Sequence, residues 1–517
     1  MNRVFIYDTT LRDGAQGEGI SFTVADKLEI VQLLDDLGVD YIEGGWPGSN
    51  AKDLEFFYKL KSVPLKNSRV VAFTSTRRKG QRIEEDAHMQ MVLGTELKHC
   101  AVVGKTWDFH VDAALRTTLD ENLSMISDTI GFLKARGIEA LFDAEHFFDG
   151  YQHNPEYALK ALSAARDAGA DWLVLCDTNG GMLPHEIARI VSEVRAAGFG
   201  PLSIHTHNDG ALAVANSLAA VQAGATQVQG TINGLGERCG NTDLCGLVPN
   251  LLLKLKMDCG IELARLPHLK SVSERLYAIT GKDPQNSQAF VGNSAFAHKA
   301  GIHVSAVLRN PSLYEHVDPE SVGNVRRVLV SELSGASNVV YRLEQLNLPT
   351  AQDVVSRILH RVKEAEQQGC VYEGAGTSLE LLMKEESGLE LPKFDNVTVS
   401  LEDLGDGFAV SLSWLEDNQF LRAKQGLGVT QGQALCHATG IFDAGFMLTD
   451  EQWVCLSRPG MSPLYRAHIK GSYEDKKVST VGLGSSVADA MAAAVLQVWQ
   501  YILHLSLAPH SRAAKSM

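Results

Sequence analysis

The sequence predicts an α/β chain built on a (β/α)8 TIM barrel, followed by helical linker subdomains and a C-terminal α/β regulatory-like domain. Three observations predict it. Short β-branched runs recur eight times in the first half, each ending in polar or glycine residues. Segments with helical apolar spacing separate them. After residue 265 this rhythm stops, and near residue 395 a different, hairpin-like alternation begins. The domains expected are 1–265 (catalytic barrel), 266–390 (helical linkers) and 391–517 (regulatory-like domain).

The strands are expected at "VFIYDTT" (4–10), "YIEGGW" (41–46), "VVAFTS" (70–75) and "CAVVGK" (100–105). They continue at "EALFDAE" (139–145), "WLVLCDT" (172–178), "LSIHTHN" (202–208) and "TQVQGTIN" (226–233). The intervening "TVADKLEIVQLLDDLG" and "PEYALKALSAARDAG" end at Gly38 and Gly169, as helix C-termini commonly do. "LPHEIARIVSEVRAAG" carries Pro184 near its start, where a missing N–H costs nothing. A doubly wound open sheet is the rival arrangement. Eight regular repeats and glycines in "GLGERCG" (234–240) at the wrong spacing for a dinucleotide fingerprint favour closure.

Beyond the barrel, "KSVSERLYAITG" and "DVVSRILHRVKEAEQQG" read as amphipathic helices. "NVTVSLEDLGDGFAVSLSW" alternates like a hairpin turning at Gly405-Asp406-Gly407, and "SSVADAMAAAVLQVWQYILHL" reads as a striped helix. The closing "APHSRAAKSM" is expected to be a frayed tail.

Bulk properties narrow the function. A formal charge of -15, from 62 acidic against 47 basic residues, argues against a nucleic-acid partner. No apolar run of membrane-spanning length occurs, and the chain opens on a strand-like run instead of a signal peptide. The 8 cysteines include no CxxC pair and suit reduced core or loop residues, Cys176, Cys239 and Cys245 among them. A cytoplasmic protein working on small molecules is expected.

Barrel chemistry sits at the C-terminal ends of the strands. Those ends carry Asp8, Arg12, Asp13, Glu43, Lys105, Asp143, Glu145, Asp177, Thr178, His205, His207 and Asn233, polar where strands buried on both faces are usually apolar. Asp8 and Asp177 equally suit helix caps. His205 and His207, two apart, would point the same way from a strand. With Asp13, from the loop after the first strand, they suit an open divalent metal site, with Asn241 as a fourth oxygen donor or an ordinary N-cap. Such a metal would chelate and polarise a 2-oxo acid. Arg12 would then stabilise the developing oxyanion, Thr178 would hydrogen-bond the substrate carboxylate, and Glu145 would act as a base or as the partner of one. Lys105 and Asp143 would bind substrate, CoA or a water, or pair with each other.

The ordered series "DTTLRDGAQ" (8–16), "EGGWPGSN" (43–50), "FDAEHFFDGY" (142–151), "LCDTNGG" (175–181), "HTHND" (205–209), "NGLGERCGN" (233–241) and "FAHKAGIHVSAV" (296–307) resembles a known family. It is that of the metal-dependent acyltransferase and lyase barrels, which includes 2-isopropylmalate, homocitrate and citramalate synthases. The likeness runs through about residue 390 and is strongest to the citramalate synthase branch, through "EGGWPGSN" and "AFAHKAGIHVSAVLRNPSLYEHVDPESVGN". The resemblance implies a Claisen condensation of acetyl-CoA with a 2-oxo acid, pyruvate in that branch, then thioester hydrolysis to a 2-alkylmalate and CoA. In that branch the product feeds isoleucine biosynthesis. It implies metal binding by Asp13, His205, His207 and Asn241, a donor set whose Asp and two His suit Mn, Mg, Zn or Co. It further implies that His303 and Tyr314 of a second protomer complete the site, which requires a homodimer. From the residues alone, His303 would pass for a surface histidine.

The last domain departs most from the family pattern. "KQGLGVTQGQAL" and "KKVSTVGLGSSVADAMAAAVLQVWQYI" echo a feedback module, whereas the segment between them does not, so loss or change of feedback by an amino acid is expected. The readings set against the condensing acyltransferase are an alkylmalate synthase for another 2-oxo acid, a 3-hydroxyacyl-CoA lyase and a non-catalytic metabolite sensor.

Overall fold

The computed structural model describes residues 3–416, 420–458 and 460–507, so the tail segment 508–517 lies outside the described residues. Eight parallel strands close in sequential order: β1 (Phe5–Asp8), β2 (Tyr41–Gly45), β3 (Arg69–Ser75), β4 (His99–Lys105), β5 (Glu139–Glu145), β6 (Trp172–Asp177), β7 (Leu202–Thr206) and β8 (Gln227–Gly230). β8 returns to β1 with Phe5 opposite Gln227, which makes the sheet a barrel. All eight expected strands are present, most trimmed by one to three residues at their polar ends, where the chain turns away into loops.

Local chemistry explains the elements between them. The helix Val24–Leu37 starts at a capping box, Thr23 Oγ1 accepting from Asp26 N–H at 3.1 Å and Asp26 accepting from Thr23 N–H at 2.7 Å. It stops at Gly38, whose φ of 98° suits glycine. Asn154 caps the helix Pro155–Asp167, with Pro155 at its first position.

Two apolar layers hold the barrel together. The inner one is aromatic, with Tyr7 stacked on Tyr41 at 5.9 Å and Phe5 edge-on to Trp172 at 5.5 Å. The outer one lies between strands and helices and includes Ile6, Ile42, Val102 and Ile204. Packing of this kind fills the lower barrel and leaves the polar ends of the strands to line the mouth.

The chain divides into two compact units, Met1–Phe296 with Val317–Val325, and Ala297–His316 with Arg326–Met517. The first runs past residue 265 because the helix Leu269–Thr280 buries Leu269, Val272 and Leu276 in the outer core. Arg275 clamps Glu29 with Nε at 2.5 Å and Nη2 at 3.0 Å.

In the second unit, helices Ala336–Gln345, Gln352–Gln367 and Gly376–Glu386 share one core around Val339, Leu343, Ile358 and Met383. Two three-stranded antiparallel sheets follow, Phe394–Asp403/Phe408–Glu416/Phe420–Gly428 and Met447–Cys455/Tyr465–Tyr473/Lys476–Gly484. The expected turn at residues 405–407 closes with Leu404 N–H donating to the Gly407 carbonyl at 2.8 Å. Each sheet is followed by a helix, Gln431–Thr439 or Val487–Leu507, so a βββα unit occurs twice. The repeat is visible in sequence as Gly-Leu-Gly at 426–428 and again at 482–484. A Cβ on Gly426 would strike the Ala434 carbonyl and the Ala438 amide, and one on Gly482 the Ala490 carbonyl and the Ala494 amide. The glycines therefore let each helix lie directly on its strand.

Candidate metal centre and active site

The mouth of the barrel holds a cavity of about 240 Å³, lined by Arg12, Asp13, Trp46, Phe73, Asp143, Glu145, Thr178, His205, His207 and Glu237, among others. Asp13 Oδ2 lies 3.5 Å from His205 Nε2 and 3.9 Å from His207 Nε2, and the two Nε2 atoms are 3.4 Å apart. Among the described residues this is the one group of three His, Cys, Asp or Glu donors close enough to share an ion. His207 falls just after β7, where it bridges to Asn241. Its ring converges with that of His205 because this bridge, beyond the last strand residue, holds the turning backbone.

The electrostatics suit a cation. Burial pushes the Asp13 carboxyl up, but Arg12 and the two histidines outweigh it and hold it near 2. Burial, then the neighbouring His205, drops His207 to about 4, and burial lowers His205 against the opposing pull of Asp13. At neutral pH the three groups are therefore one anion and two neutral imidazoles, the state a metal needs. His205 Nδ1 faces Gln229 Oε1 at 2.9 Å. A glutamine oxygen can only accept, so the proton sits on Nδ1 and the Nε2 lone pair points at Asp13 and His207. Asn241 donates its amide to Asp13 Oδ1 and to the Leu235 carbonyl, both at 3.1 Å, while its own Oδ1 is buried without a hydrogen-bond partner. An orphaned buried oxygen on the residue bonded to Asp13, together with the carboxylate and two imidazoles that converge there, fits a divalent cation.

Arg12 is held rigidly. Its Nε donates to Glu43 Oε2 at 2.6 Å, its Nη1 to Asp13 Oδ2 at 3.2 Å, and its Cζ lies 4.2 Å from the centre of the Phe73 ring. Glu43 is fully buried and also accepts from Tyr7 Oη at 2.8 Å and from Thr9 Oγ1. Glycines in "EGGWPGSN" explain the next loop: a Cβ at Gly44 would overlap Phe56 and Phe57, and one at Gly45 would overlap Asp53. Asp53, paired with buried Lys27 at 2.5 Å, accepts from the Trp46 backbone N–H at 2.9 Å and so holds the backbone from which that side chain reaches the cavity.

Thr178 Oγ1 accepts from His146 N–H at 2.8 Å, which leaves the hydroxyl proton free to donate toward the cavity. Asp143 lines the cavity, with Oδ1 3.4 Å from Gln229 Nε2; burial, then the nearby Glu43, pushes its carboxyl to about 8. Lys105 and Asp143 do not pair, because Lys105 turns along the rim to form an ion pair with Glu145. The loop after β8 is tied down by Arg238, which donates to both oxygens of Asp209, at 2.8 and 3.0 Å, and to the Thr178 carbonyl at 2.7 Å.

Other rim residues turn away from the cavity. Asp8 accepts from Thr10 N–H at 2.9 Å and Asp177 from Gly181 and Met182 N–H at 3.2 and 3.3 Å; both are loop caps. Asn233 reaches Ser273 of the helix Leu269–Thr280. His303, exposed, and Tyr314 belong to the second unit, where their rings pack on each other at 4.4 Å. Sequence reasoning passed over Gln229, although a second inward glutamine in a buried "QVQG" strand was a legible signal.

Residues 3–272 match the HMGL-like family and residues 290–369 the homocitrate synthase post-HMGL domain-like family. The chain is 45% identical to the (R)-citramalate synthase of Synechocystis sp., over 97% of this chain and 96% of that one. The chain belongs to the (R)-citramalate synthase family. It is 43% identical to the synthase of Geobacter sulfurreducens over 98% of both chains. With the synthase of Aquifex aeolicus it shares 49% identity over 76% of this chain and 75% of the other. Full-length coverage in the first two places the βββα repeat, as well as the barrel, within the family pattern.

Proposed function

We propose that this chain condenses acetyl-CoA with pyruvate and hydrolyses the resulting thioester, releasing citramalate and CoA. It is an acyltransferase that turns the acyl group into an alkyl group on transfer, and its substrates are small molecules. The observation that carries the reading is the convergence of Asp13, His205 and His207 in a cavity shared with Arg12 and Thr178, in a chain of this family.

Asp13, His205, His207 and Asn241 hold a divalent metal, Mn, Mg, Zn or Co. Bound there, it supplies Lewis-acid polarisation of the 2-oxo acid carbonyl. Thr178 donates its hydroxyl proton to the substrate carboxylate, and Arg12 directs its guanidinium at the oxygen that gains charge as the new carbon–carbon bond forms. Because Glu43, Asp13 and Phe73 already fix Arg12, little reorganisation is needed at that moment. Glu145 is the base that removes a proton from the acetyl methyl group or from the attacking water. Trp46, Phe73 and Val103 give this otherwise polar cavity an apolar wall suited to a methyl group. His303 and Tyr314 come from a second protomer of a homodimer and complete the site, in the cytoplasm.

The test is acetyl-CoA-dependent thiol release by metal-stripped enzyme refilled with Mn or Mg, against pyruvate, 2-oxobutyrate, 2-oxoisovalerate and 2-oxoglutarate. Pyruvate should be the best substrate and release should depend on metal. Asp13→Asn and His207→Ala should each abolish turnover without unfolding the chain. Metal-independent release, or full activity in either variant, would overturn the assignment.

A further inference from the structure

Lys105 forms an ion pair with Glu145, which lines the cavity, yet does not line the cavity itself. Its place is decided by the sheet. In the β4–β5 ladder Lys105 stands in register with Glu145, so their side chains leave the same rung at the ends of adjacent strands. The ammonium forms an ion pair with Glu145 Oε2.

Both ends of the pair are braced. Asn122 Nδ2 donates to the Lys105 carbonyl at 2.9 Å, and Thr106 donates twice to the Glu145 carbonyl, from N at 3.3 Å and from Oγ1 at 2.8 Å. Asn122 and Thr106 are themselves fully buried, so the backbone at these strand ends is fixed before the side chains meet. The Glu145 side chain carries three rotatable bonds and lies about a quarter exposed, 26%. A single braced cation restricts the directions its free oxygen can face.

We propose that Lys105 is a positioning residue that aims the Glu145 carboxylate at the reacting atoms. The inference rests on the reading of Glu145 as the base. It replaces the expectation, drawn from the sequence, that Lys105 contacts substrate or CoA. An ammonium whose charge is already offset by a carboxylate draws a substrate anion less strongly, whereas a flexible base needs a fixed partner to reach a near-attack geometry. Replacing Lys105 should therefore reduce turnover without weakening either substrate.

The experiment is a double-mutant cycle on the metal-loaded full chain, with Lys105→Met, Lys105→Arg, Glu145→Gln and Lys105→Met/Glu145→Gln. Misdirecting a reacting group costs on the order of 10²-fold. Lys105→Met should lose about that in kcat, with KM for pyruvate and acetyl-CoA within about twofold of wild type, and Lys105→Arg should recover most of it. In the Glu145→Gln background the same Lys105→Met change should cost less than about twofold, since its effect passes through the carboxylate. A raised KM with intact kcat in Lys105→Met would make Lys105 a substrate contact and overturn the proposal. Losses that simply multiply in the double variant would overturn it too, while leaving Glu145 as the base. Wild-type turnover in Glu145→Gln would instead remove the base reading, and the proposal with it. Thermal unfolding of Lys105→Arg and Lys105→Met guards against a folding defect, and a loss of kcat that follows lost folded fraction counts against the proposal.

Discussion

Gln229 shows how a single side chain sets the chemistry of its neighbour. Its amide oxygen decides which nitrogen of His205 carries the proton, and its amide nitrogen leans on Asp143. Removing such a support typically costs about 10–100-fold in metal affinity. Gln229→Leu should lose Mn affinity in that range by calorimetry or by displacement of a fluorescent chelator, and unchanged affinity would show that the His205 ring is fixed by other means. Glu43 works the same way on Arg12. It lines no part of the cavity, but with the Phe73 ring it restrains the guanidinium. The residue types at these positions could be read from sequence because buried strands rarely carry carboxylates and amides without use. Their pairings could not, since Gln229 and Asp143 are brought together only by closure of the barrel.

At the scale of elements, the loops after the strands divide into those that carry chemistry and those that carry structure. Asp177 ends β6 and accepts the Gly181 and Met182 amides, which turns the chain toward the helix Pro184–Ala196 and leaves Thr178 at the cavity. Burial raises its carboxyl to about 6, against the lowering effect of those two amides. An acid whose folded pKa exceeds its unfolded value holds its proton more tightly when folded. Its contribution to stability is therefore complete below the unfolded pKa near 4 and is lost as pH rises through about 6. Asp177→Asn, which cannot ionise, should flatten this part of the profile of unfolding free energy against pH, by ~1–3 kcal/mol between pH 4 and 7. A profile with the same slope as wild type would count against a folded pKa near 6. Helix and strand identity at this scale was legible from period and caps, as Thr23, Gly38 and Pro155 show. Exact ends were not: His207 sits one residue past β7 because the bridge to Asn241, a tertiary contact, takes over from the strand ladder.

For the whole molecule, the central expectation is that two chains share each active site. His303 and Tyr314 pack against each other in the second unit and are exposed enough to serve a site elsewhere. Mixing inactive Asp13→Asn with inactive His303→Ala, under conditions that exchange subunits, should restore about a quarter of wild-type activity. Half of the dimers are then mixed and each mixed dimer regains one intact site. No recovery, with exchange demonstrated by tagged subunits, would place His303 in the same chain's site. Among the described residues no helix is long and apolar enough to cross a membrane.

By itself the sequence determined the order and kind of the elements, the barrel and the family, because strand and helix periods, glycine punctuation and ordered motifs are local properties of the chain. It also marked Asp13, His205 and His207, since polar residues at barrel strand ends stand out against apolar neighbours. What only the tertiary structure decided is which polar residues meet. Asp8 and Asp177 became caps, Asn233 turned to a helix, Lys105 turned to Glu145, and Gln229 became the support of His205. The physical reason is that a hydrogen bond or ion pair needs its partners within about 3 Å. Residues 40 positions apart, like Lys105 and Glu145, come that close only through strand register and the closing of the sheet.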